Sequence, residues 1–173
     1  MRALVFSTLA LLTFGQVTPA RAQAAHDDPT IVAIFDAANT YDIETGQLAL
    51  QKSHTKAVRD LAQQFLNDHT MVRQQGRDLA KKLGVTPTPP KEFALADAHA
   101  KAKKELEGKS GASFDKAYID HEVAFHQAVL DAVKSTLLPA IKNAELKAFV
   151  EKVGPAFAGH LEAAKHLQRQ LTS

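Results

Sequence analysis

The chain has 173 residues, 45% of them hydrophobic, and 21 lysines and arginines stand against 19 aspartates and glutamates. This length suits one ordinary domain. Because the sequence contains no cysteine, it excludes disulfides, thiolate metal sites, thiol catalysis, covalent haem attachment through Cys-x-x-Cys and lipoprotein acylation.

Residues 1–24 have the pattern of a secretory signal peptide. Arg2 provides a positive start, residues 3–15 form an apolar run, and an Ala-x-Ala site ends at Ala24. We expect cleavage after Ala24 and export to the periplasm, with residues 25–173 forming the mature domain. A membrane anchor is the alternative, but the apolar run falls short of the roughly 20 residues that a membrane-spanning helix needs.

The signal peptide also carries the net charge of the chain. Its charged residues are Arg2 and Arg21, and without them 19 basic side chains face 19 acidic ones. Elsewhere no run of basic residues is interleaved with aromatic ones, and Lys101–Lys104 is followed by Glu105 and Glu107. The charge pattern therefore argues against nucleic-acid binding.

The composition predicts helices throughout, since Ala, Leu, Lys, Gln and Glu dominate and no alternating run of β-branched residues occurs. The first helix is expected to follow an N-cap at Asp28, with proline in its first turn, and to end near Lys52. The second is expected to begin after Thr55 and to end at Leu83, where Gly84 provides a C-terminal signal.

A short amphipathic helix is predicted in the long connection between the second and third long helices. The proline-rich residues 86–90 end the second helix, and an Ala- and Lys-rich stretch predicts the extra helix from about Phe93 to Glu107. Ser113 is the expected cap of the third long helix, which ends near Leu138 before a proline. The fourth is expected to span residues 143–171, with a bend at the Gly-Pro pair in its middle.

The second and fourth long helices each have a seam of apolar or small residues with one histidine near its middle. The spacing alternates between four and three, which is typical of helices that face other helices in a bundle. The seams are Val58, Ala62, Phe65, His69, Val72, Gly76, Leu79 and Leu83, and Val150, Val153, Phe157, His160, Ala164, Leu167 and Leu171. The pattern predicts that His69 and His160 are buried.

The first and third helices carry acidic residues on their apolar stripes. These stripes are Ile34, Ala37, Tyr41, Glu44 and Leu48, and Ile119, Glu122, His126, Val129 and Val133. From a turn at residue 54, Glu44 and His69 differ in height by roughly 7 Å, and His126 and His160 have the same five-residue offset from the turn between the last two helices. We therefore expect the groups to meet at one level of the core. They are Glu44, His69, Glu122, His126 and His160.

A divalent transition metal is the first interpretation of this set, because buried carboxylates and imidazoles are normally neutralised, hydrogen-bonded or metal-bound. Iron, manganese, zinc, nickel and copper all suit such nitrogen and oxygen ligands. The alternative is a metal-free network of buried Glu–His hydrogen bonds. Tyr41 and Tyr118 lie one turn before Glu44 and Glu122, where they either orient these carboxylates or take part in ordinary packing.

Several segments resemble the secreted bacterial family known as domain of unknown function 4142. They are residues 35–49 with Glu44 and Gly46-Gln47-Leu48-Ala49, Asp68-His69-Thr70, Phe114-Asp115-Lys116-Ala117-Tyr118 leading to His126, and Gly154-Pro155 before His160-Leu161. The resemblance covers nearly all of the mature chain. It implies an exported protein with a ferritin-like four-helix bundle, and it implies no particular activity.

The expected ligand set differs from that of ferritin-like di-iron enzymes, which use two Glu residues and two Glu-x-x-His motifs. Leu66 and Phe157 stand three residues before His69 and His160, so two carboxylates remain. We therefore expect a single metal ion, held by the three histidines and Glu44, with Glu122 as a fifth ligand or proton acceptor.

The sequence thus predicts an all-α, ferritin-like antiparallel four-helix bundle with a metal storage, sensing or redox role in the periplasm. The alternatives are a metal-free envelope stress or interaction module and a small metal-dependent oxidase or peroxide-handling enzyme. No Ser/His/Asp arrangement with a nucleophile elbow, phosphate loop or nucleotide fingerprint occurs. A metal ion is the expected partner, with no nucleic acid and no membrane span in the mature chain, and the pattern identifies no protein partner.

Overall fold

In the computed structural model of the chain, residues 26–171 are described, and the regular structure in this range is entirely helical. The predicted all-α class is confirmed. The elements in chain order are α1 (Asp28–Lys52), α2 (Lys56–Leu83), α3 (Ala94–Glu107), α4 (Gly111–Ala132), a π-helical turn (Val133–Leu137), α5 (Leu138–Ala140) and α6 (Ala144–Leu171). The predicted signal peptide lies outside the described residues and stays a prediction.

The long helices pack in two pairs. α1 lies along α2 and α4 lies along α6, while further contacts join α2 to α6 and α1 to α4, and α3 lies against α1 and α4. Apolar side chains fill both ends of this arrangement, around Phe65 and Ile119 at one end and around Ile31 and Val150 at the other. Polar residues interrupt the core between these ends. Between residues 26 and 171, no helix has the length and apolar character needed to cross a membrane.

The first two helices begin and end close to the predicted residues. The N-cap of α1 is Asp27, one residue earlier than expected, and its carboxylate accepts a hydrogen bond from the backbone N–H of Thr30 at 2.9 Å. The carboxylate of Asp28 instead accepts from the backbone N–H groups of Lys142 and Asn143, each at 2.9 Å, so it ties α1 to the chain before α6. The C-terminus of α2 has the predicted left-handed Gly84, with a φ of 66°.

The third long helix differs from prediction at both ends. Its N-cap is Ser110 rather than Ser113, whose hydroxyl donates to the Ser110 carbonyl at 2.7 Å. Near the other end, Pro139 has no N–H to donate to the carbonyl four residues earlier, and its ring would clash there. The preceding turn is π-helical, and helical structure continues to Ala140. In α6 the helix runs without interruption through Pro155.

Replacement of Asn143 by Ala is expected to destabilise the protein by about 1 kcal/mol, the usual contribution of such a cap. The side-chain oxygen of Asn143 accepts from the backbone N–H groups of Glu145 at 2.9 Å and Leu146 at 3.1 Å. Urea unfolding measures the change. Asn143→Ser, which keeps an acceptor oxygen, should retain most of the stability, and an equal loss in both variants would contradict this role.

Candidate metal centre

Three buried histidines from three helices meet between the apolar ends of the core. His69 lies on α2, His126 on α4 and His160 on α6, and the three residues are 4%, 2% and 3% exposed. Nε2 of His69 lies 3.3 Å from Nε2 of His126 and 3.3 Å from Nδ1 of His160. The structure therefore brings together the three histidines that the sequence predicts at one level.

The hydrogen-bond partner of His69 determines which of its ring nitrogens carries hydrogen. The side-chain Nδ2 of Asn39 donates to the backbone carbonyl of Phe35 at 2.8 Å, which directs its Oδ1 towards Nδ1 of His69 at 2.9 Å. An amide oxygen can only accept, so Nδ1 of His69 is the donor. Nε2 of the neutral ring then has a lone pair and no hydrogen.

The other two histidines are oriented in the same manner. Nδ1 of His126 donates to the backbone carbonyl of Glu122 at 3.0 Å, which leaves Nε2 unprotonated. Nε2 of His160 donates to the carboxylate of Asp68 at 2.9 Å, which leaves Nδ1 unprotonated. All three ring hydrogens are thus engaged outside the cluster, and the three nitrogens that face one another carry lone pairs.

Burial keeps these imidazoles neutral. It lowers the pKa of His69 to about 2, with the neighbouring His126 and His160 adding to the effect, and it lowers the pKa of His126 to about 3. The pKa of His160 is also lowered by burial, against the opposing influence of Asp68. An additional proton is therefore not held between the rings near neutral pH. The rings form a group of hydrogen-bond acceptors with no donor among them.

A buried carboxylate on α1 lies beside the histidines. Oδ2 of Asp42 is 3.5 Å from Nε2 of His69 and 3.6 Å from Nε2 of His126. The carboxyl group of Glu122 interacts with that of Asp42. Burial raises the pKa of Asp42 from 3.8 to about 7.

Glu122 adds a second carboxyl group next to Asp42. One of its oxygens accepts from the hydroxyl of Thr45 at 3.1 Å, and Oε2 lies 3.5 Å from Nδ1 of His126. Burial, and then the charge of Asp42, raises the pKa of Glu122 well above its usual value. A bound cation would reverse this effect by favouring the ionised carboxylates.

Aromatic side chains fix the planes of the imidazoles. Phe157 stacks on His69 with ring centroids 4.9 Å apart and planes 3° from parallel. Phe65 stacks on His160 at 4.3 Å and also contacts His126 at 5.0 Å. The rings are therefore held by packing on their faces and by hydrogen bonds at their outer nitrogens, as ligand histidines commonly are.

The spacing of the donor atoms is compatible with a metal ion. Two ligand atoms of a tetrahedron around a metal about 2.0–2.1 Å away lie roughly 3.3–3.4 Å apart, and the histidine nitrogens are separated by 3.3 Å. The two groups with metal-binding geometry among the described residues are His69, His126 and His160, and Asp42, Glu122 and His126. These buried groups could hold a metal.

Glu44 lies outside this cluster, so its expected position beside the histidines is wrong. Its carboxylate accepts from Nζ of Lys103 at 2.7 Å and lies 3.2 Å from Nε2 of His99, and both partners are on α3. The hydrogen bond from Lys103, supported by His99, lowers the pKa of Glu44. Asp42 and Glu44 are two residues apart, or about 200° around the helix. Only one of them can face the histidines.

The middle of the stripe that includes Glu44 is covered by α3 instead of facing the histidines. Tyr41 stacks on His99 with ring centroids 4.2 Å apart. The buried stripe of α1 that includes Asp42 consists of Ile31, Ala38, Asp42, Thr45 and Ala49. Its spacing of three, four and seven matches the seams of the other helices, and this was the signal that could have found Asp42. Small and polar residues make the stripe inconspicuous in the sequence.

The two tyrosines, Tyr41 and Tyr118, lie in different surroundings. Tyr118 is fully buried, and burial, followed by the charge of Glu122, raises its pKa. Its hydroxyl group interacts with the carboxyl group of Glu122. Tyr41 belongs to the contact between α1 and α3. Of the two alternatives for Tyr41, the structure shows packing, whereas Tyr118 lies within electrostatic reach of Glu122.

Residues 15–167 match the family model described as Domain of unknown function (DUF4142). The chain belongs to the DUF4142 family. The matched range contains the three clustered histidines and both buried carboxylates, Asp42 and Glu122. Among curated proteins, none matches the sequence of this DUF4142 protein significantly.

A solved structure described as a DUF305 fragment from Deinococcus radiodurans is similar to this DUF4142 protein. The two have a TM-score of 0.72 and 14% sequence identity, over 82% of this chain and 95% of the other. At this level of identity the similarity shows a shared helical fold.

Asp42→Asn is expected to change how the stability of the metal-free DUF4142 protein depends on pH. With a pKa of about 7, Asp42 retains its proton in the folded protein after the unfolded chain has lost it. Its contribution to the free energy of unfolding therefore falls as pH rises from about 4 to about 7. The free energy of unfolding of the asparagine variant lacks this decrease. Relative to that of the wild type, it should therefore rise by up to a few kcal/mol between pH 5 and pH 8. Urea unfolding at both pH values measures the difference, which a pH-independent effect would contradict.

Proposed function

We propose that this DUF4142 protein is a periplasmic, ferritin-like four-helix bundle that binds one transition-metal ion through His69, His126, His160 and Asp42. The observation that carries the proposal is the orientation of the imidazoles, whose hydrogens all point outwards and whose lone pairs face one another. A metal cation satisfies such a group of acceptors. Storage, sensing and redox chemistry are all compatible with this site.

The donor set favours a metal that accepts imidazole and carboxylate ligands. Three nitrogens and one oxygen suit iron, manganese, zinc, nickel or copper. Asp42 takes the role that the sequence predicts for Glu44. Glu122 lies behind Asp42 and His126, where it serves as a proton acceptor or a further ligand. Because burial raises the pKa values of Asp42 and Glu122 in the absence of a metal, we expect binding to release protons.

The metal-free alternative explains the contacts less well. A hydrogen bond between two imidazoles needs a hydrogen on one of the facing nitrogens, yet the three ring hydrogens are given to Asn39, Glu122 and Asp68. A network without metal would therefore keep the lone pair on Nε2 of His69 about 3.3 Å from the facing nitrogens of His126 and His160, at a cost in electrostatic energy. This alternative predicts that chelators leave the stability unchanged.

A metal-dependent enzyme is the second candidate, and a cavity beside the site favours it. The cavity reaches His69 and His126 and does not include His160 or Asp42 among its lining residues. A metal held by the four donors would thus have one side turned towards the cavity. Oxidase and peroxide-handling reactions need such an accessible position.

Export to the periplasm is supported by the pattern of residues 1–24 alone.

Variants of the clustered histidines are expected to lose the metal. In protein isolated from the periplasm, His69→Ala and His160→Ala should reduce the bound metal from about one equivalent to a small fraction, measured by elemental analysis after dialysis. Removing one of three histidine ligands leaves too few donors for tight binding. Glu44→Gln is the matched control, because Glu44 pairs with α3 and should leave the metal content unchanged.

Comparison of Glu44→Gln with Asp42→Asn shows which of the two carboxylates binds the metal. Loss of metal in Glu44→Gln and retention in Asp42→Asn would overturn the role assigned to Asp42. A wild-type protein that contains no metal, and whose stability does not respond to chelation or to added metal, would overturn the proposed function as a whole.

Asn39→Ala should weaken metal binding by about 10- to 100-fold without removing a ligand, which is the usual effect of losing a group that orients a ligand histidine. The ring of His69 would lose the acceptor that keeps its hydrogen on Nδ1. Competition with a chromophoric chelator measures the affinity. Asn67→Ala removes an asparagine from the exposed face of α2 and serves as the control. Equal affinities of both variants would contradict the orienting role of Asn39.

A further inference from the structure

A cavity of about 480 Å³ lies directly beside the histidine cluster. His69 and His126 are part of its lining, and four phenylalanines, Phe35, Phe93, Phe125 and Phe157, contribute to its walls. Pro90 and residues 92–95, which precede and begin α3, cover one side. Exposed residues of α4, including Ala128 and Ala132, form part of the rim, so the cavity is open to solvent.

The cavity has the size and composition of a small-molecule site. Such sites have volumes of about 300–1,000 Å³, apolar walls and a small number of polar groups. The π-helical turn contributes Val133, Thr136 and Leu137 to the lining. Isolated π-helical turns are often found at functional sites, because the wider turn shifts side chains out of their regular helical positions. The irregular segment before Pro139 therefore faces the cavity.

The charge at the cavity lining limits the ligands that fit. Among the described residues that line the cavity, none is a lysine or arginine, and the carboxylate of the lining belongs to the exposed Glu92, which is not on the helices that carry His69 and His126. A divalent metal with Asp42 as its carboxylate ligand keeps a net positive charge, and this charge would lie at the end formed by His69 and His126. An anionic group is therefore favoured at that end, while the remainder of the cavity favours an apolar body.

We infer that the cavity binds small molecules with an apolar body and an oxygen-anion head group such as a carboxylate, with the head group directed to the metal beside His69 and His126. This inference rests on the proposed metal binding and adds the class of ligand. The walls recognise apolar surface, and the metal recognises the anion. Both an effector and a substrate of the metal centre can belong to this class of ligand.

A chain-length series tests this inference. The protein is loaded with Co²⁺ and titrated with linear carboxylates from acetate to octanoate, with the visible spectrum of the metal as the readout. We expect the affinity to rise by about fourfold for each added methylene until the cavity is filled, because each methylene leaves water for an apolar surface. The spectrum should change on binding, since the head group contacts the metal. In the metal-free protein, binding measured by calorimetry should be much weaker.

A matched pair of variants locates the binding. Val129→Trp places a large ring in the cavity and should abolish the gain with chain length, whereas Val123→Trp changes another half-buried valine of α4 that does not line the cavity and should retain it. Circular dichroism and Co²⁺ content verify that both variants fold. Ala132→Trp is a second blocking variant at the rim.

The possible outcomes distinguish this inference from the proposed function. If Co²⁺ binds but the carboxylate affinity does not depend on chain length, or if both tryptophan variants behave alike, the inference is overturned and metal binding stands. Equal binding by the metal-free protein overturns the contact between head group and metal. If no metal binds, the proposed function fails, and the inference fails with it.

Discussion

The direction of three imidazole hydrogens is the constraint on which the centre of this molecule depends. Asn39, the Glu122 carbonyl and Asp68 each accept one hydrogen, and they come from α1, α4 and α2. Nε2 of His69 therefore lies 3.3 Å from a ring nitrogen of each of the other two histidines, and all three of these nitrogens carry lone pairs instead of hydrogen. The stacked phenylalanines prevent the rings from turning away. The centre therefore requires helices α1, α2, α4 and α6 to keep a common register, and the apolar groups at both ends of the core supply that register.

The histidines could be predicted because each interrupts an otherwise apolar or small seam. In α2 and α6 the alternating spacing leaves one plausible buried face, so the height of His69 and His160 follows from the turn positions. In α4 the pair Glu122 and His126 lies on the buried face for the same reason. For these helices, periodicity alone is sufficient, because one face is apolar and the opposite face is charged.

The acidic residue of α1 could not be chosen in this way. This helix is packed on two sides, by the other long helices and by α3, and it therefore has two stripes that read as buried. Tyr41 and Glu44 on one stripe contact α3, while Asp42 and Thr45 on the other face α2 and α4. Local sequence carries no information on which partner covers which stripe. The hydrogen positions of the imidazoles and the cavity likewise depend on contacts between helices that are distant in the chain.

Asp42 and Glu44 are two residues apart and lie on different faces of α1. The rotation of this helix about its axis therefore determines the contacts of both residues. Inserting or deleting one residue between Ile31 and Asp42 would rotate the later part of the helix by about 100°. Asp42 would leave the histidines, and Glu44 would at the same time lose Lys103 and His99 on α3. A substitution can alter one of these contacts, but a change in length alters both. The number of residues in this helix is therefore under a stricter constraint than most of its side chains.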